Sequence, residues 1–225
     1  MIASVVFFTA ISAAGADVKT VVDPANDSPA VEITIDTSET PELADWAEMT
    51  LRPVLEKWYP IIEHDLPSDG FTPPQKFKIV FLKDMKGVAN TSGTLVRCAA
   101  GWFKKNLKGE AVGAVVHEMV HVVQQYPAGK NPGWLVEGTA DYIRWFKYEP
   151  ISKRPHVNPE KARYTDSYRT SAAFLNYICE AHNKDIVRKL NAVMRQGRYE
   201  PKVWKELTGN TVDELWDEYV ATLKQ

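Results

Sequence analysis

Two histidines and a glutamate stand at a spacing that suits a metal ion. The run Ala114-Val115-Val116-His117-Glu118-Met119-Val120-His121-Val122-Val123-Gln124-Gln125 holds His-Glu-x-x-His inside an apolar, helix-compatible stretch. On a helix, residues four apart lie one turn above each other on the same face. His117 and His121 can therefore present two imidazoles to one ion. Glu118, beside the first of them, is placed to take a proton from water that the ion activates. The donor set points to zinc, which takes imidazole and carboxylate ligands and keeps one position open in catalytic sites. A solvated helix face is the bland alternative, and the valines around the motif argue for a buried one.

Two histidines do not complete a catalytic zinc site. Beyond a break at Pro127-Ala128-Gly129-Lys130-Asn131-Pro132 comes Gly133-Trp134-Leu135-Val136-Glu137-Gly138-Thr139-Ala140-Asp141-Tyr142. It reads as the start of a second helix, and Glu137 and Asp141 share one face of it. Either carboxylate can be the third ligand on spacing alone. The pattern resembles zincins that use a glutamate there. Trp-Leu-x-Glu-Gly-x-Ala is similar to the aminopeptidase branch, and Glu-x-x-x-Asp to the thermolysin branch. That resemblance implies that Glu137 is the ligand and that Asp141 orients His117 through its other ring nitrogen, a common role for carboxylates behind a ligand.

The elements around these residues divide the chain. Val31–Asp36 alternates apolar and polar residues, and Lys76–Leu82 does so more strongly, so both are expected to be strands. Glu42 to about His64 has helical spacing, with Pro53 and Pro60 expected to bend or break it. Val88–Val96, with its Thr-Ser-Gly-Thr cluster, leads into a further strand, and Arg97–Phe103 into another short one. The metal helix begins somewhere between Lys108 and Ala114, since Gly109 and Gly113 weaken a helix start. The second helix is expected to end near Glu149-Pro150. Helices are then expected over Tyr168–Ala181, Lys184–Arg195, Val203–Leu207 and after Thr211, which with Glu214 makes a capping box. Strands come early and helices late. The fold class is α+β, with the metal helix at the junction of a sheet-rich part (31–127) and a helical part (128–225) of one domain.

Composition narrows the setting. The chain has 225 residues and a net charge of −2, with no basic stripe, so nucleic acid is not an expected partner. Residues 1–16 form an apolar run too short to span a bilayer, ending in Ala14-Gly15-Ala16. A signal peptide cut after Ala16 is expected, hence a secreted or periplasmic chain with no membrane insertion once mature. No Lys or Arg precedes the apolar run, and a buried N-terminal strand or helix is the other reading. Residues 17–30 are expected to be a flexible lead-in. Cys98 and Cys179 fit either one disulfide or two separate buried thiols.

The similarity extends well beyond the metal motif. Gly87-Val88-Ala89-x-Thr91-Ser92-Gly93, His117-Glu118-Met119-Val120-His121-Val122, Pro132-Gly133-x-Leu135-x-Glu137-Gly138-x-Ala140-Asp141-Tyr142-x-Arg144, Asp166-Ser167-Tyr168-x-x-Ser171-Ala172-x-Phe174-Leu175 and Thr208-Gly209-x-x-Val212-Asp213-x-Leu215-Trp216 together resemble the basic secretory protein family. The resemblance runs from about Val31 to Leu223. Two departures are the mildly acidic charge and Val123 where many members have Trp.

The resemblance implies a zincin-like fold and a zinc peptidase acting on peptides or proteins, expected to be a monomer. In that scheme His117, His121 and Glu137 hold one catalytic Zn2+ and Glu118 is the general base. Tyr168 is expected to donate to the oxyanion, with Tyr164 second. Zincins bring a sheet edge alongside the metal, and the segment Asn90–Arg97 is the expected edge. Gly93 and Thr94 are its candidate substrate contacts, with Tyr164 a third. An endopeptidase is the main reading. The alternatives are a zinc aminopeptidase or other zinc hydrolase, and a secreted zinc-binding protein with little turnover.

Overall fold

The strand Lys76–Leu82 (β2) sets the pattern of the sheet. Phe77, Ile79 and Phe81 point to one face and are buried, while Lys76 and Lys78 point to the other and are exposed. The period of two along a strand makes the two faces differ in this way. In this computed structural model, which describes residues 31–166 and 168–224, β2 lies at the centre of a four-stranded mixed sheet. The signal peptide expected over 1–16, the lead-in over 17–30 and Ser167 lie outside the described residues.

The sheet order is β1-β2-β4-β3, with β1 at Glu32–Asp36, β3 at Ala89–Ser92 and β4 at Leu95–Ala99. β1 and β4 run parallel to β2, and β3 pairs antiparallel with β4 as an edge strand. The register places Ile33 opposite Phe77, Ile79 opposite Val96 and Phe81 opposite Cys98. One continuous apolar row results. On the other face Lys76 pairs with Glu32 at 2.6 Å and Lys78 with Asp36 at 2.8 Å.

Before β2 the chain is helical from α1 (Ala44–Trp46) through a π-helical turn (Ala47–Leu51) into α2 (Arg52–Asp65). The two prolines do not break it. Pro53 directly follows the π-helical turn, and Pro60 is carried inside α2. The expected strand over Arg97–Phe103 is corrected: β4 stops at Ala99 and α3 (Ala100–Asn106) follows. Ala100 and Phe103, three apart, fall on one helical side and are buried. Phe103 fills the space against Phe81 and Trp46, and that packing decides for the helix.

α4 (Ala111–Gln124) carries the His-Glu-x-x-His run and is buried along nearly its whole length. It packs on β3 and β4 on one side and on α2 on another. Gly113 sits where a Cβ would come within 2.4 Å of Glu149 Oε1, so the close approach requires glycine. α5 (Gly133–Tyr142) continues through a π-helical turn (Ile143–Tyr148). α6 (Tyr168–Ala181) crosses α5 at Gly138, where a Cβ would lie 2.6 Å from the Ser171 Cβ. α7 (Ile186–Arg195), α8 (Lys202–Thr208) and α9 (Val212–Leu223) complete the helical part. The capping box at Thr211 and Glu214 is present. Cys98 and Cys179 are both free thiols, so the disulfide alternative does not hold.

Arg195 joins the two parts. Its Nε donates to the Gln124 carbonyl, Nη2 to that of Val123 and Nη1 to that of Leu66, at 3.1, 3.0 and 2.9 Å. These carbonyls lie at the C-terminal ends of α4 and α2, where no backbone N–H of the same helix is left to donate to them. Burial lowers the Arg195 pKa below its usual value, the cost of holding a guanidinium there. Arg195→Met is expected to destabilise the fold by about 3 kcal/mol, because three carbonyls lose charge-assisted donors. Urea midpoints measure this, and an unchanged midpoint would mean that the carbonyls find other partners.

Candidate metal centre

Three ligand atoms from two helices converge. His117 Nε2 lies 3.1 Å from His121 Nε2 and 3.2 Å from Glu137 Oε2, and His121 Nε2 lies 3.3 Å from the same oxygen. The triangle is nearly equilateral. Bonds of about 2.0–2.1 Å at tetrahedral angles place ligand atoms about 3.3 Å apart, so these three atoms fit one tetrahedral ion with a fourth position open. They form the His/Glu group able to hold a metal among the described residues.

Both imidazoles are set to offer Nε2. His117 Nδ1 lies 2.7 Å from Asp141 Oδ1, and a carboxylate there accepts the Nδ1 proton. Asp141 is 3% exposed, on the turn of α5 above Glu137. His121 Nδ1 lies 2.7 Å from Gln124 Oε1. The Gln124 amide nitrogen donates to the Val136 carbonyl, which fixes Oε1 as the acceptor for His121. Gln124 therefore ties α4 to the residue before Glu137. Sequence reading overlooked it, although Gln124 lies three residues after His121 and so on the same helix face.

Burial works against charge on His117, but hydrogen bonds to Asp141 and Glu137 outweigh it and lift its pKa to about 9, so a metal ion binds there by displacing the Nε2 proton. Burial likewise works against the Glu137 carboxylate, and the two imidazoles overcome it, holding its pKa well below the usual carboxylate range. Glu137 thus stays an anion below the pH at which a free carboxylate protonates, as a ligand must be.

Glu118 faces the same space and is 7% exposed. Its Oε2 accepts a 2.7 Å bond from the Thr91 hydroxyl on the edge strand β3. Thr91 falls in a segment that carries the family resemblance, but no local pattern shows its bond to Glu118, because the partner lies in a different element. A cavity of about 720 Å³ contains these groups. One wall is β3 and its approach, with Val88, Ala89, Asn90, Thr91 and Gly93; the other carries Tyr168, Arg144 and Arg169. The Tyr168 ring stacks on His117 with centroids 6.0 Å apart, and its backbone is left-handed, φ 50°. The negative charge of Glu137, then burial, raises its pKa, so it is a protonated donor at neutral pH.

Two expected contacts fall elsewhere. The Tyr164 hydroxyl donates to Asp213 at 2.9 Å, and its ring packs on Trp134 and Trp216, away from the cavity lining. Thr94 is exposed in the turn after β3 and is not part of the lining either, whereas Gly93 is.

A family model described as a peptidase of plants and bacteria, BSP, matches residues 20–219. The chain belongs to that peptidase family. No curated protein and no solved structure matches it. Membership makes the chain a peptidase by class, and the His/Glu triangle is the feature of its fold suited to hold a metal. No helix of the described residues is long and apolar enough to cross a membrane.

If Glu137 is a ligand and Asp141 and Gln124 orient the histidines, the variants should fall in order. Glu137→Ala should abolish stoichiometric metal binding. Asp141→Ala and Gln124→Ala should each weaken it by roughly ten- to a hundredfold. Competition with a chromophoric chelator gives these affinities directly; tighter binding by Glu137→Ala than by Asp141→Ala would reverse the assignment.

Proposed function

We propose that this chain is a zincin-type zinc endopeptidase, in which Glu118 is the general base and Tyr168 stabilises the developing oxyanion. The observation that carries the reading is the tetrahedral fit of His117, His121 and Glu137 beside a buried carboxylate in a peptidase-family chain. Two imidazoles with one carboxylate are a zinc donor set. Zinc held there would lower the pKa of its water towards neutrality and polarise the scissile carbonyl.

The chain's own groups supply the rest. Thr91 occupies Glu118 Oε2 and leaves Oε1 to take the proton of the attacking water. Glu118 then passes that proton to the departing amine nitrogen. The Tyr168 hydroxyl, protonated at neutral pH, is the candidate donor to the carbonyl oxygen as it gains charge. Among the described residues one side of β3 is unpaired, and it can take an extended peptide as a further strand, which holds the backbone without regard to side chains. That favours cleavage within a chain. Residues 31–225 act as one catalytic domain in this reading. The leader-like residues 1–16 support action outside the cytoplasm.

Glu118→Gln tests the base. It should lower kcat by about 10²–10⁴ while zinc stays at one per chain. Unchanged hydrolysis would sink the assignment. Tyr168→Phe should lower kcat by about 10²–10³ with KM little altered. A change confined to KM would leave Tyr168 a binding residue. Steady-state kinetics on a chelator-sensitive peptide substrate, with metal analysis of each variant, read both results.

A further inference from the structure

Two guanidiniums share one wall of the cavity, and zinc hydrolysis makes no use of them. Arg144 lies in the π-helical turn, three residues after Asp141, and Arg169 directly follows Tyr168. Both line the cavity that holds the ligand triangle. Each therefore sits next in sequence or one helical turn away from a residue in contact with His117.

The arrangement is built and held. The Arg144 and Arg169 guanidinium carbons lie 4.3 and 4.4 Å from the centre of the Trp145 ring. A single oxygen, Glu110 Oε2, accepts from Nη2 of both, at 2.8 and 2.7 Å. Stacking and sharing fix the two planes before any ligand arrives, which lowers the ordering cost of binding. One carboxylate oxygen satisfies only one of the five N–H donors on each guanidinium. Arg144 is 9% exposed, and its Nε has no hydrogen-bond partner. The Arg169 side chain is 53% exposed. Nearby Glu149 is engaged by Lys153 at 2.9 Å. Asp141, Glu110 and Glu149 together act on the buried Arg144, so Arg169 is the guanidinium of the pair with donors exposed to the cavity.

We propose that Arg169, backed by Arg144 on the Trp145 ring, is a carboxylate-binding subsite that gives this peptidase a preference for substrates bearing a carboxylate close to the cleaved bond. A planar guanidinium with free parallel donors matches a carboxylate in two-bond geometry. The carboxylate comes from an Asp or Glu side chain or from a peptide C-terminus. In the first case the chain is an endopeptidase selective for acidic residues. In the second it trims from the C-terminal end. The inference rests on the peptidase reading for its substrate class, and on the arginine pair for its content.

The test uses blocked hexapeptides in which one Glu, or its isostere Gln, is moved along an otherwise neutral sequence. Each is made with a free and with an amidated C-terminus. Binding to zinc-loaded Glu118→Gln protein is measured by calorimetry, and hydrolysis by the wild-type chain as kcat/KM. The expected result is a preference of about tenfold or more at one Glu position, or for free over amidated ends, matching the worth of a charge-assisted bond. The first pattern assigns a side-chain carboxylate and the second a terminal one. Arg169→Ala should reduce either preference to below about twofold. Arg169→Lys should keep part of it, since charge remains and the fork is lost. Equal binding across all Glu/Gln and acid/amide pairs overturns the subsite, as does a preference that survives Arg169→Ala. Peptides that bind with the preference but are never cleaved would overturn the peptidase reading and leave the subsite standing. Cleavage without any preference would do the reverse.

Discussion

The distance between α4 and α5 is the constraint on which the site depends. Each helix forms on its own terms, yet atoms from both must meet at 3.1–3.3 Å. A shift of one ångström would leave the three donors unable to share one ion at bonds of about 2.0–2.1 Å. Two hydrogen-bonded ties cross the gap: Asp141 of α5 to His117 of α4, and Gln124 of α4 to the Val136 carbonyl of α5. Arg195 adds a third hold from α7 by capping the end of α4. All three are buried or half-buried, where such bonds are strong and their loss leaves polar groups without water.

The same region breaks several local rules. Gly113 lies inside a helix, where glycine weakens it, because Glu149 and Arg144 come too close for any side chain. Gly138 does the same where α5 meets α6. Tyr168 takes a left-handed backbone that a bulky residue avoids, at a cost of roughly 1–2 kcal/mol, and in doing so stacks its ring on His117. Such costs gather where geometry has to serve the site rather than the fold.

Charge in the cavity is divided. Glu118, Glu137 and Asp141 lie around the ligand triangle, and Arg144 and Arg169 lie on the wall beside Tyr168. The acidic group suits a divalent cation, whose charge it offsets. The arginines suit an anion. The two poles give the cavity a direction as well as a floor.

Much of this was legible in the residue order. His117 and His121 stand at a spacing that a regular helix alone converts into a shared face, so their pairing could be expected from local geometry, whereas Glu137 on the next helix was marked as their partner by family resemblance. The strand at Lys76–Leu82 and the cap at Thr211 are local for the same reason. Gln124 was within reach by that logic too. Other features depend on which element lies beside which. Thr91 reaches Glu118 across twenty-seven positions, and no periodicity encodes that bond. Arg97–Phe103 reads as a short strand, and it is the place Phe103 finds against Phe81 that turns Ala100–Asn106 into a helix. Tyr168 and, second to it, Tyr164 are both candidate donors in the sequence, and packing sends the Tyr164 hydroxyl to Asp213 and sets the Tyr168 ring on His117. Arg144 and Arg169 become a pair only because the π-helical turn after α5 and the start of α6 meet at Trp145. Sequence determined what each helix and strand could offer, since that depends on neighbours along the chain. Tertiary structure decided which offers meet, since that depends on burial and close approach between segments far apart in the chain.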